Sequence, residues 1–322
     1  MMNNISLAEI IQLLHTNDNF AILAHRRPDG DAVGSAIALC LALREIGKSA
    51  VCLCSDPIPP GLTFVPSVDC FVTYDAAVAF DYVISVDTAT SEMFGELAPI
   101  FGDKVNLSID HHASGAEYAE RTYLTPHAAS CTEIIFDIVQ GLGAQNRDIF
   151  TAIFVGLIAD TGCFRHANVT ARTFEVAAAL AAMGIDTHYV TDMCYNNRPA
   201  GATRALAHAL TTVQRIGSSA LVMFTNADKA RLDMDENDTS EVAEFLREEA
   251  GVLLSVVLSE LPEGGKYRLS TRSRAPIDCA AFCRNFGGGG HLRAAGATVI
   301  AASADETLAV VRTQIRTLGG SE

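Results

Sequence analysis

A histidine and two aspartates lie within seven residues near the start of the chain, in the segment His25-Arg-Arg-Pro-Asp29-Gly-Asp31. Imidazole and carboxylate together suit a divalent cation of intermediate hardness, such as Mn²⁺. Pro28 and Gly30 disfavour a regular helix and predict a turn, from which these side chains can point to a common centre. The alternative is a polar turn in which Asp31 caps the following helix.

Two further segments place metal-capable side chains directly after apolar stretches. Asp87 follows the stretch 82–86, although an aspartate at that position could equally begin a turn. Asp110, His111 and His112 follow another apolar stretch, where polar side chains cost free energy unless they are paired. Three consecutive side chains of this type favour a metal site over simple packing.

Asp160 closes the apolar helix predicted over 147–159. A carboxylate at this end faces the negative pole of the helix dipole, which is unfavourable. A positive group should therefore lie beside it. A metal ion would serve, and so would an arginine.

The elements that must position these residues alternate between strand and helix. A helix is predicted over 34–46, and the predicted strands are 20–25, 49–54, 82–87 and 105–110. This alternation predicts an α/β fold with a parallel sheet and helices on both faces. His25, Asp87 and Asp110 each end a strand, and ligands of such sheets bind outside the carboxyl ends of the strands.

The second half of the chain changes character. Helices are predicted over 131–142, 147–159, 171–183 and 203–209, and strands over 220–225, 253–259 and 267–270. The polar segment with Pro199 and Gly201 suggests a linker. We therefore predict a first domain over 1–195, a linker over 196–212 and a smaller α/β domain over 213–322.

Composition limits the classes of function. The net charge of −15 argues against a protein that coats long nucleic acid, because phosphate contacts need basic surface. The charge-free stretches are too short for a transmembrane helix, and the N-terminal residues predict an amphipathic helix rather than a signal peptide. Nine cysteines without paired metal-ligand spacing favour reduced thiols and a cytoplasmic location.

The second domain carries a local excess of positive charge. Between Lys266 and Arg293 there are six basic residues and one acidic residue, Asp278. In so acidic a chain this concentration indicates an anion site. Glycines at 288–290 would let backbone N–H groups approach a phosphate, with His291 directly after them. A flexible turn is the alternative for the glycine run alone.

Together the acidic and histidine motifs resemble the four motifs of the DHH phosphoesterases. The later segments Arg272-Ser273-Arg274 and Gly288-Gly289-Gly290-His291 resemble the DHH-associated second domain. The resemblance covers essentially the whole chain in family order. Its length makes the chain most similar to the bifunctional oligoribonucleases and pAp phosphatases of that family.

The resemblance implies two divalent metal ions, with Mn²⁺ expected and Mg²⁺ or Co²⁺ as alternatives. The first ion would be held by His25, Asp29 and Asp87. The second would share Asp87 and would also be held by Asp31, His111 and Asp160. Such a pair of ions, about 3.5–4 Å apart, can activate water and hold a phosphoryl oxygen.

The resemblance also implies roles around the metals. Asp110 would orient His111, and His112 would meet the scissile phosphate as a general acid. Substrate would be bound in the second domain by Arg272, Ser273, Arg274, Gly288, Gly289, Gly290 and His291. Arg26 and Arg27 have no assigned role: they could contact substrate or offset the acidity of the site.

The expected activity is hydrolysis of short single-stranded RNA or DNA and of dinucleotides to mononucleotides, with pAp to AMP as a further activity. Long duplexes and membranes are not expected partners, and a homodimer is left open. The alternatives are a phosphodiesterase of cyclic or linear dinucleotides, an inorganic pyrophosphatase, and a nucleotide-binding protein without catalysis.

Overall fold

The computed structural model describes residues 4–112, 117–235, 238–239, 241–290 and 292–318. The chain divides into two compact units, Met1–Asn197 and Arg198–Glu322. None of the helices in these described ranges is long and apolar enough to cross a membrane. All nine cysteines are free thiols.

The first unit contains a sheet of five parallel strands in the order β2-β1-β3-β4-β5. The strands are β1 Phe20–Leu23, β2 Ala50–Leu53, β3 Tyr82–Val86, β4 Leu107–Asp110 and β5 Arg121–Leu124. The predicted parallel sheet is confirmed, whereas β5 was not predicted because its half-buried residues lack an apolar pattern. The strand order reverses between β1 and β3, and this is where sheets of this type bind ligands.

The described residues of this unit form seven α-helices. They are α1 Leu7–Thr16, α2 Gly30–Glu45, α3 Ala98–Phe101, α4 Cys131–Leu142, α5 Arg147–Asp160, α6 Ala171–Ala182 and α7 Thr187–Tyr195. Alternate residues of β1 face opposite layers, as strand geometry requires. Phe20 and Ile22 join the core with α1, α2, α4 and α5, and Ala21 and Leu23 join a smaller core with α3.

Helix α2 begins earlier than the sequence indicates. The helix was predicted to start at residue 34, with Pro28 and Gly30 breaking regular structure before it. The structure starts it at Gly30, because the carboxylate of Asp29 caps it by accepting hydrogen bonds from the N–H groups of Asp31 and Ala32. Asp31 therefore lies in the first turn of a helix, and the capping residue is Asp29.

Glycines allow α2 and α5 to approach closely. A β-carbon at Gly34 would lie 2.4 Å from the carbonyl oxygen of Ala152, and one at Gly30 would lie 2.6 Å from Cβ of Ala159. Neither distance is sterically possible for a real side chain. These glycines thus permit the helix contact that brings the start of α2 next to the end of α5.

The second unit has a mixed six-stranded sheet in the order β10-β11-β9-β8-β7-β6. The strands are β6 Gln214–Ile216, β7 Ser219–Phe224, β8 Leu254–Glu260, β9 Lys266–Ser273, β10 Gly289–Gly290 and β11 Ala294–Ile300. Its helices are α8 Ala200–Thr212, α9 Asn226–Arg231, α10 Val242–Glu248, α11 Cys279–Arg284 and α12 Ala304–Leu318. β7 and β8 pair in parallel and the other neighbours are antiparallel. The predicted α/β character of this half is confirmed.

The segment 196–212, which the sequence suggests as a linker, is mostly helical. The chain divides between Asn197 and Arg198, and α8 follows almost at once, with Pro199 preceding its first turn. Buried Ala205 and Ala209 pack α8 against β7 in the core of the second unit. The domain limits taken from the sequence remain a prediction.

Candidate active site

The candidate site lies at the carboxyl edge of the first sheet. His25 follows β1, Asp87 follows β3, and Asp110 ends β4. Asp160 ends α5, and Asp31 lies in the first turn of α2. The parallel strands bring the first three residues to one edge, and the close contact of α2 with α5 adds the other two.

The first group of potential ligands contains His25, Asp29 and Asp87. Nε2 of His25 lies 3.9 Å from Oδ1 of Asp29 and 3.6 Å from Oδ2 of Asp87. Nδ1 of His25 lies 2.8 Å from the carbonyl oxygen of Arg26. A carbonyl can only accept, so Nδ1 carries the proton and Nε2 faces the carboxylates, which is the tautomer that binds a metal.

The second group contains Asp31, His111 and Asp160. Nε2 of His111 lies 3.9 Å from Oδ2 of Asp31 and 3.2 Å from Oδ2 of Asp160. Nδ1 of His111 lies 3.3 Å from the carbonyl oxygen of Ala128, which again leaves Nε2 free for the cluster. In both groups the ligand atoms lie within 4.8 Å of one another.

Asp87 connects the two groups. Its Oδ2 faces His25, and its Oδ1 lies 3.5 Å from Nε2 of His111. Both Oδ1 of Asp87 and Nε2 of His111 are buried without a hydrogen-bond partner among the described residues. Unpaired buried polar atoms are costly. A cation between them would satisfy both atoms, so the residues present fit a metal ion.

The backbone at Asp87 has an unusual conformation. Its φ is 52°, in the left-handed region that few residues other than glycine adopt. Such conformations cost about 1–3 kcal/mol and concentrate at functional sites. Here the turn directly after β3 places the carboxylate between His25 and His111.

Asp31 is fully buried, and its carboxylate faces the start of α4. Oδ2 accepts a hydrogen bond from the N–H of Cys131 at 2.6 Å, and Oδ1 accepts one from Thr132 at 2.9 Å. The positive end of the α4 dipole stabilises this charge. Burial, followed by the nearby charges of Asp87 and Asp160, nevertheless raises the pKa of Asp31 well above its usual value. A cation would relieve that repulsion.

The two metal-facing histidines bind protons tightly when no cation is present. Burial by itself would lower the pKa of His25, but the nearby carboxylates of Asp87 and Asp29 raise that pKa to about 9. Burial would also lower the pKa of His111, but the nearby carboxylates of Asp160 and Asp87 raise that pKa to about 11. Protons at these positions would therefore offset part of the negative charge of the cluster.

Asp110 contacts a different histidine from the one that the sequence suggests. Its Oδ1 lies 2.7 Å from Nδ1 of His112, and it also accepts a hydrogen bond from the backbone N–H of His111 at 2.8 Å. The turn after β4 directs the ring of His112 back to Asp110, while the ring of His111 faces Ala128. The hydrogen bond with Asp110 raises the pKa of His112. Asp110 therefore orients His112 and only the backbone of His111.

The carbonyl of Asp160 at the end of α5 also has defined partners. It lies 3.0 Å from Nδ1 of His166, and it accepts a hydrogen bond from Nδ2 of Asn168 at 3.2 Å. These contacts hold the residues after α5 close to the site. His166 thus supports the backbone of Asp160.

In the second unit the predicted substrate residues occupy neighbouring elements. Arg272 lies on β9 opposite Ala294 of β11, and Nε of Arg272 is 3.6 Å from a carboxylate oxygen of Glu244. Ser273 is buried, and its hydroxyl donates to the carbonyl oxygen of Ile277 at 2.8 Å. Ser273 therefore stabilises the loop that follows β9.

Arg274 already has two backbone partners. Its Nε donates to the carbonyl oxygen of Arg247 at 3.2 Å, and a terminal nitrogen donates to that of Glu248 at 3.4 Å. These carbonyls end α10, where a cation is favourable. This contact gives Arg274 a structural role beside the predicted binding role.

The glycine run follows α11 and forms the edge strand β10. A β-carbon at Gly288 would lie 2.2 Å from the carbonyl oxygen of Gly296, so only glycine fits there. Gly289 and Gly290 are exposed and pair with β11. Their backbone can thus be reached by a ligand. His291 lies outside the described residues.

Arg26 and Arg27 are exposed beside the cluster. The backbone N–H of Arg26 donates to the carbonyl oxygen of Met93 at 2.6 Å, and that of Arg27 donates to Oδ2 of Asp56 at 3.1 Å. These bonds position the loop. The two roles left open for the arginine side chains remain open.

Three supporting features were not identified from the sequence. They are the start of α4 that binds Asp31, the carbonyl of Ala128 that orients His111, and Gly156 next to Asp31. The start of α4 could have been recognised from the sequence, because Ser130 followed by Glu133 is typical of a capped helix start. The other two features could not have been recognised, because they depend on contacts between distant segments.

The fold and the cluster of His and Asp side chains form a candidate metal centre on an α/β sheet, and sequence comparison gives the family. The DHH family N-terminal domain matches residues 19–159, and the DHHA1 domain matches residues 200–317. The chain belongs to the DHH family.

Relatives and solved structures agree with this assignment. The bifunctional oligoribonuclease and PAP phosphatase NrnA of Thermus thermophilus is 30% identical over 92% of this chain and 88% of its own. An exopolyphosphatase-related protein from Bacteroides fragilis has a TM-score of 0.90, with 22% identity over 97% of this chain and 95% of its own. RecJ from Thermus thermophilus, crystallised with Mn²⁺, has a TM-score of 0.61, with 15% identity over 98% of this chain and 55% of its own.

Proposed function

We propose that this chain is a two-metal phosphoesterase that hydrolyses short oligonucleotides and dinucleotides to mononucleotides and converts pAp to AMP. The observation that carries the proposal is the position of Asp87. Its two carboxylate oxygens face two different groups of His and Asp ligands. A carboxylate placed between two ligand groups can bridge a pair of close metal ions.

The substrate class is supported by relatedness over nearly the full length of both chains. NrnA of Thermus thermophilus, whose name describes an oligoribonuclease and PAP phosphatase, matches this chain across both domains. The acidity of the chain supports a short substrate, because a long strand needs many basic contacts.

His25, Asp29 and Asp87 would hold the first ion, and Asp31, Asp87, His111 and Asp160 would hold the second. Bound ions would lower the pKa of a water molecule and stabilise charge on the phosphoryl oxygens. Mn²⁺ suits this mixture of imidazole and carboxylate, and RecJ was crystallised with it. Neighbouring groups hold the proposed ligands in place: carbonyl oxygens fix the tautomers of His25 and His111, and the start of α4 binds Asp31.

His112 would donate a proton to the leaving oxygen. Its Nδ1 is held by Asp110 at 2.7 Å, which leaves Nε2 for the substrate. Because this contact raises the pKa of His112, the imidazole keeps its proton to higher pH. A protonated, oriented imidazole is the group that general acid catalysis needs.

The second unit would bind the substrate away from the reacting phosphate. Arg272 offers a guanidinium that suits a phosphate or a base edge. The exposed backbone of Gly289 and Gly290 offers N–H groups on the neighbouring edge strand. Ser273, Arg274, Gly288 and His291 complete the proposed binding set.

The proposal is tested by incubating the purified protein with pAp, pApA, a short oligomer, a long oligomer, cyclic di-AMP and pyrophosphate. We expect Mn²⁺-dependent release of AMP from pApA and from pAp, and no release with a chelator. Chromatography identifies the products. Faster turnover of cyclic di-AMP than of the other substrates would contradict the proposal and indicate a cyclic-dinucleotide phosphodiesterase. Turnover of pyrophosphate alone would replace it with a pyrophosphatase.

A further inference from the structure

A cavity of about 490 Å³ lies at the carboxyl end of β2, outside the ligand cluster. Its walls come from three segments of the first unit: the residues just after β2, the loop around Phe71, and the segment that begins at Glu96. Because β2 is the immediate neighbour of β1, the cavity lies at the same sheet edge as His25.

Direct contacts join the cavity wall to the metal side of the edge. Sγ of Cys54, a lining residue, lies 3.3 Å from the carbonyl oxygen of His25. Oδ2 of Asp56, another lining residue, accepts the backbone N–H of Arg27. A β-carbon at Gly95 would lie 2.6 Å from Oγ of Ser55. The same β-carbon would lie 3.3 Å from Cβ of Arg26, so the segment around Gly95 is packed tightly against both the loop after β2 and the loop that carries His25.

The lining residues combine apolar rings with hydrogen-bond acceptors. Phe71, Tyr74 and Ile100 supply apolar surface, and Asp56 and Glu96 supply carboxylates. None of the described residues that line the cavity is basic. A phosphate would be repelled here. A flat, uncharged group with N–H donors would be accepted, and the volume suits such a group.

We propose that this cavity binds a purine base of the nucleotide substrate that carries an exocyclic amino group, with guanine preferred. The N1–H and N2–H groups of guanine can both donate to one carboxylate, whereas uracil offers a single N–H donor and two acceptors. The ring would lie against Tyr74, whose own ring is fixed edge-on to Phe101 at 5.2 Å. The inference rests on the proposed function, because it assigns the base specificity of that reaction.

The test compares kcat/KM for pGpG and pUpU in the wild-type protein and in Glu96→Gln. Glu96 is exposed at the rim, so its replacement leaves the fold intact. We expect the wild type to prefer pGpG by about tenfold, and Glu96→Gln to lose about tenfold on pGpG. Turnover of pUpU should change less than about twofold. Glu92→Gln, an exposed carboxylate on the same segment that does not line the cavity, is the matched control and should change neither substrate.

Equal kcat/KM for the two dinucleotides in the wild type would overturn the inference, and so would an equal loss on both in Glu96→Gln. If no dinucleotide is hydrolysed at all, the proposed function fails, and the cavity is tested by binding alone. Calorimetric titration should then show tighter binding of GMP than of UMP. Thr73→Trp, which fills the cavity from its exposed rim, should abolish that difference. Equal binding of GMP and UMP to the wild type would disprove the base site.

Discussion

Asp31 and Gly156 lie in direct contact across the α2–α5 interface. A β-carbon at position 156 would come within 2.7 Å of Oδ1 of Asp31 and within 2.4 Å of Cγ2 of Thr132. The absence of a side chain at Gly156 therefore makes room for the buried carboxylate and for the start of α4 that binds it. The position of a proposed metal ligand thus depends on a glycine 125 residues further along the chain.

Gly156→Ala should weaken the second metal site. The added methyl group would displace Asp31 or separate the helices, at a cost of about 1–3 kcal/mol. We expect lower Mn²⁺ affinity, about tenfold lower turnover, and a lower Tm. Gly61→Ala is the control, because a β-carbon there meets no atom within 4 Å. Unchanged metal affinity in Gly156→Ala would show that Asp31 is not a ligand.

Asp87→Ala should remove metal from both sites, whereas two matched variants should each affect one. Asp29→Ala removes a ligand from the first group only, and Asp160→Ala removes one from the second group only. Elemental analysis should find close to no metal in the Asp87 variant and about one ion per chain in the others. Turnover should fall by at least about a hundredfold in the Asp87 variant. Full occupancy in that variant would contradict the bridging assignment.

Metal binding should release protons at neutral pH. His25 and His111 are protonated in the metal-free protein, because their pKa values are raised to about 9 and about 11. A metal requires the neutral imidazole, so saturating Mn²⁺ should displace at least about two protons. Calorimetry in buffers with different ionisation enthalpies measures this number. Affinity for Mn²⁺ that does not rise with pH would contradict the prediction.

The same histidines should make the metal-free protein less stable in alkali. A pKa raised by folding contributes stability that is complete below the unfolded value, about 6.5. For His25 this contribution is lost as the pH rises through about 9. Thermal denaturation of the chelator-treated protein should therefore give a Tm that falls from neutral pH to above pH ~9. A Tm that rises over this range would show that the carboxylates are not paired with these histidines.

Turnover should fall steeply with substrate length. The net charge of −15 repels a long strand, and few basic contacts are available to hold it. We expect kcat/KM to decrease from a dinucleotide to an oligomer of about two dozen nucleotides, and to decrease further with added salt. Gel and chromatographic product analysis gives the rates. Processive degradation of the long oligomer at the dinucleotide rate would point to a RecJ-like activity.

Arg272→Ala and Arg274→Ala should have different effects. Arg274 caps α10, so its loss should lower the Tm by removing two hydrogen bonds. Arg272 is proposed to bind substrate, so its loss should reduce kcat/KM for pApA by about tenfold to a hundredfold. Hydrolysis of bis-p-nitrophenyl phosphate, which has no distant group to bind, should change less than about threefold. An equal loss on both substrates would place Arg272 in the reaction itself.

The sequence by itself determined the class of fold and the identity of the candidate ligands. Apolar stretches that end in His25, Asp87 and Asp110 predict strands whose carboxyl ends meet at one edge, since local patterns encode strands and parallel strands share direction. The bounds predicted for helix α4 match those in the structure, because its apolar residues recur at the spacing of a helix face.

Only the tertiary structure decided how those ligands are held. The capping of α2 by Asp29 and the pairing of Asp110 with His112 are short-range contacts, but which of several nearby polar side chains makes them depends on the packed structure. The binding of Asp31 to the start of α4 joins segments 100 residues apart, and no local pattern encodes it. The space that Gly156 leaves for Asp31 likewise depends on the packing of two segments that are far apart in the sequence. The periodicity of apolar residues predicts only which residues share a face of one helix or strand. Contact between elements depends on side-chain volumes and hydrogen bonds that arise only when distant segments pack together.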